Sequence, residues 1–364
     1  MAKRVGIDKW MFGSVLLLVV IGVVMVFSAS AVMAGERFGS PYAFLTRQLA
    51  WAVAGLAAMT VVVKIDYRRW KHPGIVFSFL GITALLLVGV FFLDRAHNTH
   101  RWIRLGSVMS FQPSELAKPA LILFLAFFLE FRTKSIDDWR HTLLPAALPV
   151  ALFAALIMKQ PDLGTSMVCL AVAASIFYVA GMKPKYFAYA LIPVVPVLYV
   201  LLFRVGWRRD RMLAFLNPWT DPQGRGFHII QSLIAVGTGG VTGVGLMEGK
   251  QKLFYLPEPH TDFIYAVASE ELGLIGAILI ASLFFVFCYR GFRTVLRTTD
   301  LFGRYLATGI TTMIVVQAFF NISVVLALLP TKGIPLPFIS YGGSSLFVML
   351  ASAGVLLNIT RQAE

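Results

Sequence analysis

Charge is scarce in this sequence. Only 14% of its 364 residues are Asp, Glu, Lys or Arg, while 58% are hydrophobic. A water-soluble domain of this length could not hide so much apolar surface, which excludes that class and leaves a multi-span membrane protein. Cysteine is scarcer still: Cys169 and Cys288 lie far apart, each inside an apolar run. They read as small core residues rather than a disulfide framework and carry no information on redox compartment. A cleavable leader is not expected either. The apolar run 11–34 is too long for one and lacks a small-residue cleavage pattern, so it reads as the first span. The charge that is present leans to one sign, with a formal net of +14. Most Lys and Arg fall in short segments between apolar runs, where topology demands them, so no nucleic-acid partner is expected.

Apolar runs recur at 11–33, 45–63, 74–93, 113–130, 142–158, 164–181, 187–203, 263–289, 305–328 and 342–359. Each is near the ~20 residues that a crossing needs. The expectation is an all-α polytopic membrane protein of about ten transmembrane helices, forming one integral-membrane domain over 1–364. A large outer loop, 204–262, joins helices seven and eight. An even number of spans puts both termini on one side. The positive-inside rule makes that side cytoplasmic, because the basic segments 3–9, 64–71, 132–140, 183–185 and 290–304 and Arg361 share it. Trp10, Trp70 and Trp139 fall beside these segments, as interfacial anchors do.

Many Lys and Arg remain for the opposite side, including Arg101, Arg208, Arg209 and Lys332. A long loop escapes the positive-inside rule, but the short ones do not. The reading is an outward-facing basic basin for an anionic headgroup. Pyrophosphate fits, because Arg clusters bind it through several charge-assisted hydrogen bonds.

The acids inside or beside apolar runs are the sharper signal, since a charge in hydrocarbon costs several kcal/mol. Glu258, His260 and Asp262 sit in a Pro-punctuated stretch that runs straight into span eight, with Glu270 and Glu271 about 12 Å deeper. Glu115 and Lys118 lie at i and i+3 on one face of span four. A structural ion pair and a functional cavity are nearly even readings for them, and the cost of burying a pair favours the cavity. Ser114 is expected to cap span four. Asp162 is most simply the cap of span six. The run Gly237–Gly245 is not a P-loop, because Gln251 follows Gly249-Lys250. It reads as flexible turns, with a lesser possibility of N–H nests for an anion. His260 and Asp262 at i, i+2 have no third ligand at metal-site spacing, so no metal site is expected from the protein alone. The segment 329–345 carries three prolines around Lys332 and Ser340. Rigid non-helical backbone at membrane depth belongs in a cavity wall, and those two residues are taken as substrate contacts.

Four motifs carry a resemblance: Arg101-Trp-Ile103, Phe111-Gln-Pro-Ser-Glu-Leu-Ala-Lys118, Gln160-Pro-Asp-Leu-Gly-Thr165 and Leu256-Pro-Glu-Pro-His-Thr-Asp-Phe263. The chain resembles the SEDS family (shape, elongation, division and sporulation) along its whole length. It is closer to the FtsW branch, through Lys252-Leu-Phe-Tyr-Leu-Pro-Glu258, Glu270–Gly276 and Thr331-Lys-Gly333. Gly333–Phe338 would also suit the RodA branch. The resemblance implies a peptidoglycan glycosyltransferase that polymerises lipid II into glycan strands on the outer face of the cytoplasmic membrane, at the division septum. Its implied partners are a class B penicillin-binding protein, a transpeptidase, and other division-complex membrane proteins. It further implies that Asp262 is essential and that Trp102 takes part.

The residues agree with that chemistry. A sugar hydroxyl must attack the anomeric carbon of a pyrophosphate-linked donor, which inverts configuration in a single displacement. Fixed cations stabilise the departing pyrophosphate, with Arg101, Arg208, Arg209 and Lys332 as candidates. Asp262 is the candidate base, its pKa lifted towards the working pH by partial burial. Glu115, Lys118, Glu258, His260 and Ser340 complete the expected substrate-binding set. No cofactor is required, and a Mg²⁺ or Mn²⁺ ion bridging Asp262 or Glu258 to pyrophosphate stays open. A lipid II flippase is the second reading and a scaffold the third.

Overall fold

The computed structural model describes residues 6–93, 101–105 and 109–362, without the side chains of Arg104, Leu105, Met109, Lys134 and Trp207. In chain order the helices are α1 (Lys9–Phe38), α2 (Ala43–Lys64), α3 (Pro73–Leu93), α4 (Pro113–Glu130), α5 (Leu144–Lys159), α6 (Leu163–Val179), α7 (Pro184–Tyr199), α8 (Gly206–Leu216), α9 (Phe227–Thr238), α10 (Ile264–Arg297), α11 (Leu301–Val325) and α12 (Gly343–Thr360). All but α8 and α9 fall on the expected spans. Among the described residues eight helical stretches are long and apolar enough to cross a membrane, α5 and α7 being extended by the π-helical turns Trp139–Leu143 and Val200–Arg204. Of the other two expected spans, α4 is diluted by Glu115, Lys118 and Glu130, and α6 has only 17 residues. A short antiparallel hairpin, β1 (Ile103–Leu105) with β2 (Met109–Phe111), precedes α4 and pairs Ile103 with Phe111. It is a small addition to an all-α membrane protein, the class expected.

The helices start where the side chains permit. Asp8 caps α1 by accepting from the N–H groups of Trp10 and Met11 at 3.1 and 3.0 Å. Asp300 does the same for α11 through Gly303. The expected Ser114 cap is not formed. Gln112 is the N-cap of α4, and Ser114 Oγ accepts from the Gln112 amide instead. At the centre, α11 lies against α4, α6 and α10, while α12 runs along α2. α7 has no buried residue and stands as an exposed flank. Basic segments expected on one side do meet at one end of the bundle. Arg290 pairs with Asp8 at 2.5 Å, Lys71 with Glu130 at 2.6 Å and Lys183 with Asp137 at 2.7 Å.

α10 is not one helix in the hydrogen-bonding sense. Gly273 has φ 66 and ψ −165, which breaks the ladder nine residues after the helix begins. The freed groups are taken by the Gly-rich segment before it. Leu274 and Ile275 N–H donate to the carbonyls of Gly240 and Val241, while Val244 and Gly245 N–H donate to those of Glu270 and Glu271, all within 2.9–3.2 Å. A β-carbon at Gly239 or Gly243 would run into the Ser269 or Glu271 carbonyl. This corrects the reading of Gly237–Gly245 as flexible turns. The glycines let one backbone dock against another where a span is broken, as intramembrane backbone requires.

Glu270 and Glu271 close the same junction. Glu270 accepts from the Lys250 and Gln251 N–H groups at 2.9 and 3.2 Å. Glu271 accepts from Ser28 Oγ at 2.7 Å, Met247 N–H at 3.1 Å and the Lys252 ammonium at 2.6 Å. The expected long loop is thus a packed unit carrying α8 and α9, stitched to α1 and α10.

Candidate active site

Asp262 stands two residues before α10, in a turn held from behind by α11 and the segment 329–341. Its carboxylate opens onto two cavities. One, of about 200 Å³, is lined by Arg101, Asp162, Arg208 and Arg211 and by apolar groups of α6 and the α7–α8 junction. The other, of about 310 Å³, is lined by Asp210, Arg211, Arg225, His228 and Glu258. Arg211, Asp262, Thr331, Lys332 and Gly333 belong to both. Asp262 therefore stands where two compartments meet.

Several elements converge to build this. The first compartment's floor is the α6 N-terminus, where Asp162 accepts from the Thr165 N–H at 3.0 Å and its hydroxyl at 2.8 Å. Asp162 is the cap it was expected to be, and it lines the cavity as well. Arg101 reaches across to the Gln160 and Pro161 carbonyls at 2.6 and 2.5 Å. α8 presents Arg208 and Arg211, three residues apart and so on one helical face. Arg225 pairs with Asp210 at 2.9 Å on the second compartment's rim. Lys332 Nζ lies 2.7 Å from Met167 Sδ of α6. Gly333 leaves room for the acid, since a β-carbon there would stand 2.8 Å from Asp262 Oδ2.

The electrostatics follow from this enclosure. Desolvation, with Glu258 and Asp162 adding like charge, pushes Asp262 up to about 7 against the pull of Arg101 and Arg211. Burial lowers Lys332 below the usual ammonium range. Burial also lowers Arg211, with Arg101 adding repulsion. Among the described residues no hydrogen bond or ion pair ends on the Asp262 carboxylate itself. The arrangement is an acid poised to exchange a proton near neutrality, beside a cationic wall.

Most of the remaining expected site residues lie outside both cavities. Glu258 reaches the second cavity, with its backbone in the left-handed region at φ 49. His260 is buried between Phe44 and Tyr341, ring centroids 4.7 and 5.6 Å away, and burial lowers its pKa. It lines neither cavity. Ser340 is buried, donating to the Thr261 carbonyl at 2.6 Å and accepting from Leu336 N–H at 2.7 Å. Arg209 points to the exposed side of α8 and Trp102 is half-buried at the head of β1, both outside the two linings. Glu115 and Lys118 are enclosed in the bundle and line neither cavity. Lys118 Nζ donates to Glu115 Oε2 at 2.9 Å and Gln317 Oε1 at 2.8 Å. The pair that was expected to favour a cavity is a bundle contact. Its ammonium is satisfied by protein, which meets the cost of burial without substrate. Arg211, Asp162 and Gly333 are cavity residues that the sequence reading did not select.

No three His, Cys, Asp or Glu side chains cluster as a metal site among the described residues. Asp262 with Glu258 or Asp162 offers two carboxylates, so Mg²⁺ or Mn²⁺ would need phosphate oxygens from the substrate to complete its shell.

Comparison with known proteins decides the family. The model of the cell-cycle proteins FtsW, RodA and SpoVE matches residues 8–364. The chain belongs to this FtsW/RodA/SpoVE family. Within it, a Geobacter metallireducens protein named as a probable peptidoglycan glycosyltransferase FtsW is 46% identical, covering 94% of this chain and 92% of its own. Stage V sporulation protein E of Bacillus subtilis is 43% identical, covering 100% and 99%. Among solved structures, a chain of a peptidoglycan synthase complex that coordinates polymerization and crosslinking superposes with TM-score 0.79, at 30% identity and 98% coverage of both chains. The rod-shape-determining protein RodA of Thermus thermophilus follows at TM-score 0.71, 27% identity and coverage of 98% and 97%. Both solved structures thus share this bundle over nearly its whole length.

Proposed function

We propose that this integral membrane protein is a peptidoglycan glycosyltransferase that polymerises lipid II on the outer face of the cytoplasmic membrane, with both termini on the cytoplasmic side. The observation that carries the reading is Asp262, near neutrality in its proton affinity, at the meeting point of a cation-lined compartment and a second one. In the step envisaged, Asp262 takes the proton from an acceptor sugar hydroxyl. That oxygen bonds to the donor's anomeric carbon as the bond to pyrophosphate oxygen breaks, and the configuration inverts. Undecaprenyl pyrophosphate leaves with the electron pair. Arg101, Arg208, Arg211 and Lys332 stabilise the negative charge that develops there. The acceptor enters from the Glu258 and His228 side. A divalent cation held by Glu258 and the pyrophosphate oxygens would add to the same charge stabilisation and leave Asp262 as the base.

The relatives' names support this reading, and the synthase-complex neighbour supports a transpeptidase partner, a class B penicillin-binding protein. We infer septal wall synthesis from the FtsW-named relatives. The test is glycan polymerisation from purified lipid II in detergent, with the partner added. Detergent removes sidedness, so a flippase has no task in that assay. Polymer from the wild type and none from Asp262→Asn is the expected result. No polymer from either moves the assignment to lipid II translocation, to be measured in sealed vesicles.

A further inference from the structure

The main chain at Asp262 is held with unusual completeness. Three successive carbonyls are each tied to elements that come later in the sequence. His260 O accepts from the Tyr341 N–H at 2.9 Å, Thr261 O from Ser340 Oγ at 2.6 Å, and Asp262 O from Asn321 Nδ2 at 2.8 Å. Asn321 is itself buried on α11, and the same nitrogen donates to Ile334 O at 2.7 Å. One amide thus joins the acid's turn to the wall that carries Lys332 and Gly333. Four residues earlier, on the same helical face, Gln317 donates to the next carbonyl, Pro335 O, at 3.0 Å. Its Oε1 accepts from Lys118, which fixes the orientation of that amide. The turn and the wall also contain non-glycine residues in the left-handed region, Glu258 at φ 49 and Phe338 at φ 66. Such conformations persist only where surroundings over-determine them.

We propose that Asn321 is a positioning residue for glycosyl transfer. Its two N–H groups clamp the Asp262 turn to the Ile334 wall and so set where the carboxylate stands relative to Lys332. Gln317, steered by the Glu115–Lys118 pair, is the second strut of the same clamp. This gives the enclosed ion pair a task at the site without contact with substrate. The proposal rests on the transferase reading above, because it is the geometry of that reaction that the clamp protects.

The amide Oδ1 of Asn321 has no partner among the described residues, so its bonding passes through the two donors alone. Asn321→Asp keeps the shape and replaces both donors with an acceptor facing two carbonyls. The experiment compares wild type, Asn321→Asp, Asn321→Ser and Gln317→Leu in the lipid II assay across pH, with hydrogen exchange on the same preparations. Asn321→Asp should lower kcat at least 30-fold with KM changed less than threefold, and Gln317→Leu about tenfold. A loosened turn admits water to Asp262, so the acid limb of the rate profile should move to lower pH. Exchange in the segments 258–263 and 329–341 should quicken together by tenfold or more. A role confined to folding would lower Tm while leaving kcat per folded molecule and the acid limb unchanged, and that result overturns the proposal. If Asn321→Asp yields no folded protein, Asn321→Ser and Gln317→Leu decide by the same criteria. If the wild type makes no polymer, the transferase reading falls by itself. Exchange then still reports on the clamp, and unchanged exchange in both segments removes it.

Discussion

Asp262 and Glu271 are acids nine residues apart at the start and the break of α10, and the protein treats them in opposite ways. Glu271 is fully enclosed and fully answered, by a hydroxyl, a backbone N–H and the Lys252 ammonium. Asp262 is half-buried, faces two cavities, receives no direct partner among the described residues and is pushed up to about 7. A satisfied acid is a fastener. An acid left uncomfortable by its own fold is a reagent, and the discomfort is what tunes it. The two were equally suspicious as charges beside hydrocarbon, and only their partners separate them.

The sharpest way to break this contrast is to remove Glu271. Glu271→Ala leaves the buried Lys252 ammonium without its counter-ion, at a cost of about 3–5 kcal/mol. A large loss of Tm and yield in detergent is expected. Glu271→Gln with Lys252→Met should recover much of it, because removing both partners leaves no stranded charge. A single variant as stable as the wild type would show that the junction does not depend on the pair. Asp262→Asn should do the reverse. Polymerisation falls at least 100-fold, about 2.7 kcal/mol in the barrier, while Tm is kept or raised. Substantial residual activity in folded Asp262→Asn removes it as the base.

Much of the architecture was legible in the sequence. The length of an apolar run reports a crossing directly, because a spanning backbone must satisfy itself by helix. The break at Gly273 was not legible. Glycine is common in membrane helices, and only the docking of 239–245 shows that this one is a hinge in the ladder. At the site, chemistry was readable and direction was not. Asp262 opens to the cavities while His260, two residues earlier, is buried against Phe44. Arg208, Arg209 and Arg211 looked interchangeable in a loop. Once α8 is known, the i, i+3 spacing puts the first and last on one face and turns Arg209 away. Glu115 and Lys118 depend on Gln317, nearly 200 positions away, which no local pattern announces.

The space beside Asp262 gives a smaller test. Gly333 is not among the left-handed glycines, so alanine there meets no backbone objection, only the acid's Oδ2 at 2.8 Å. Gly333→Ala should reduce kcat about tenfold, about 1.4 kcal/mol, with little change in Tm. An unchanged kcat would mean that the carboxylate can move aside without cost, which would weaken the case for a fixed base.

The finest discrimination comes from pH. Burial pushes Asp262 up to about 7 in the folded state, whereas an unfolded aspartate titrates at about 3.9. Between those values the folded state binds the extra proton, so stability falls as pH rises through that window and levels off above it. Asp262→Asn has no such proton to lose. Its unfolding free energy should match the wild type near pH 4 and exceed it at pH 8, by about 1 kcal/mol once the side chain's partial exposure is discounted. Activity runs the other way. The base must be ionised, so kcat/KM should climb about tenfold per pH unit below 7 and flatten above it. Glu271→Gln should lose stability at pH 8, because it gives up an ion pair. Opposite signs at one pH, for two acids nine residues apart, would separate reagent from fastener by thermodynamics alone. A wild type whose Tm is flat from pH 4 to 8 relative to Asp262→Asn would instead mean that Asp262 is no more strained than an ordinary surface carboxylate.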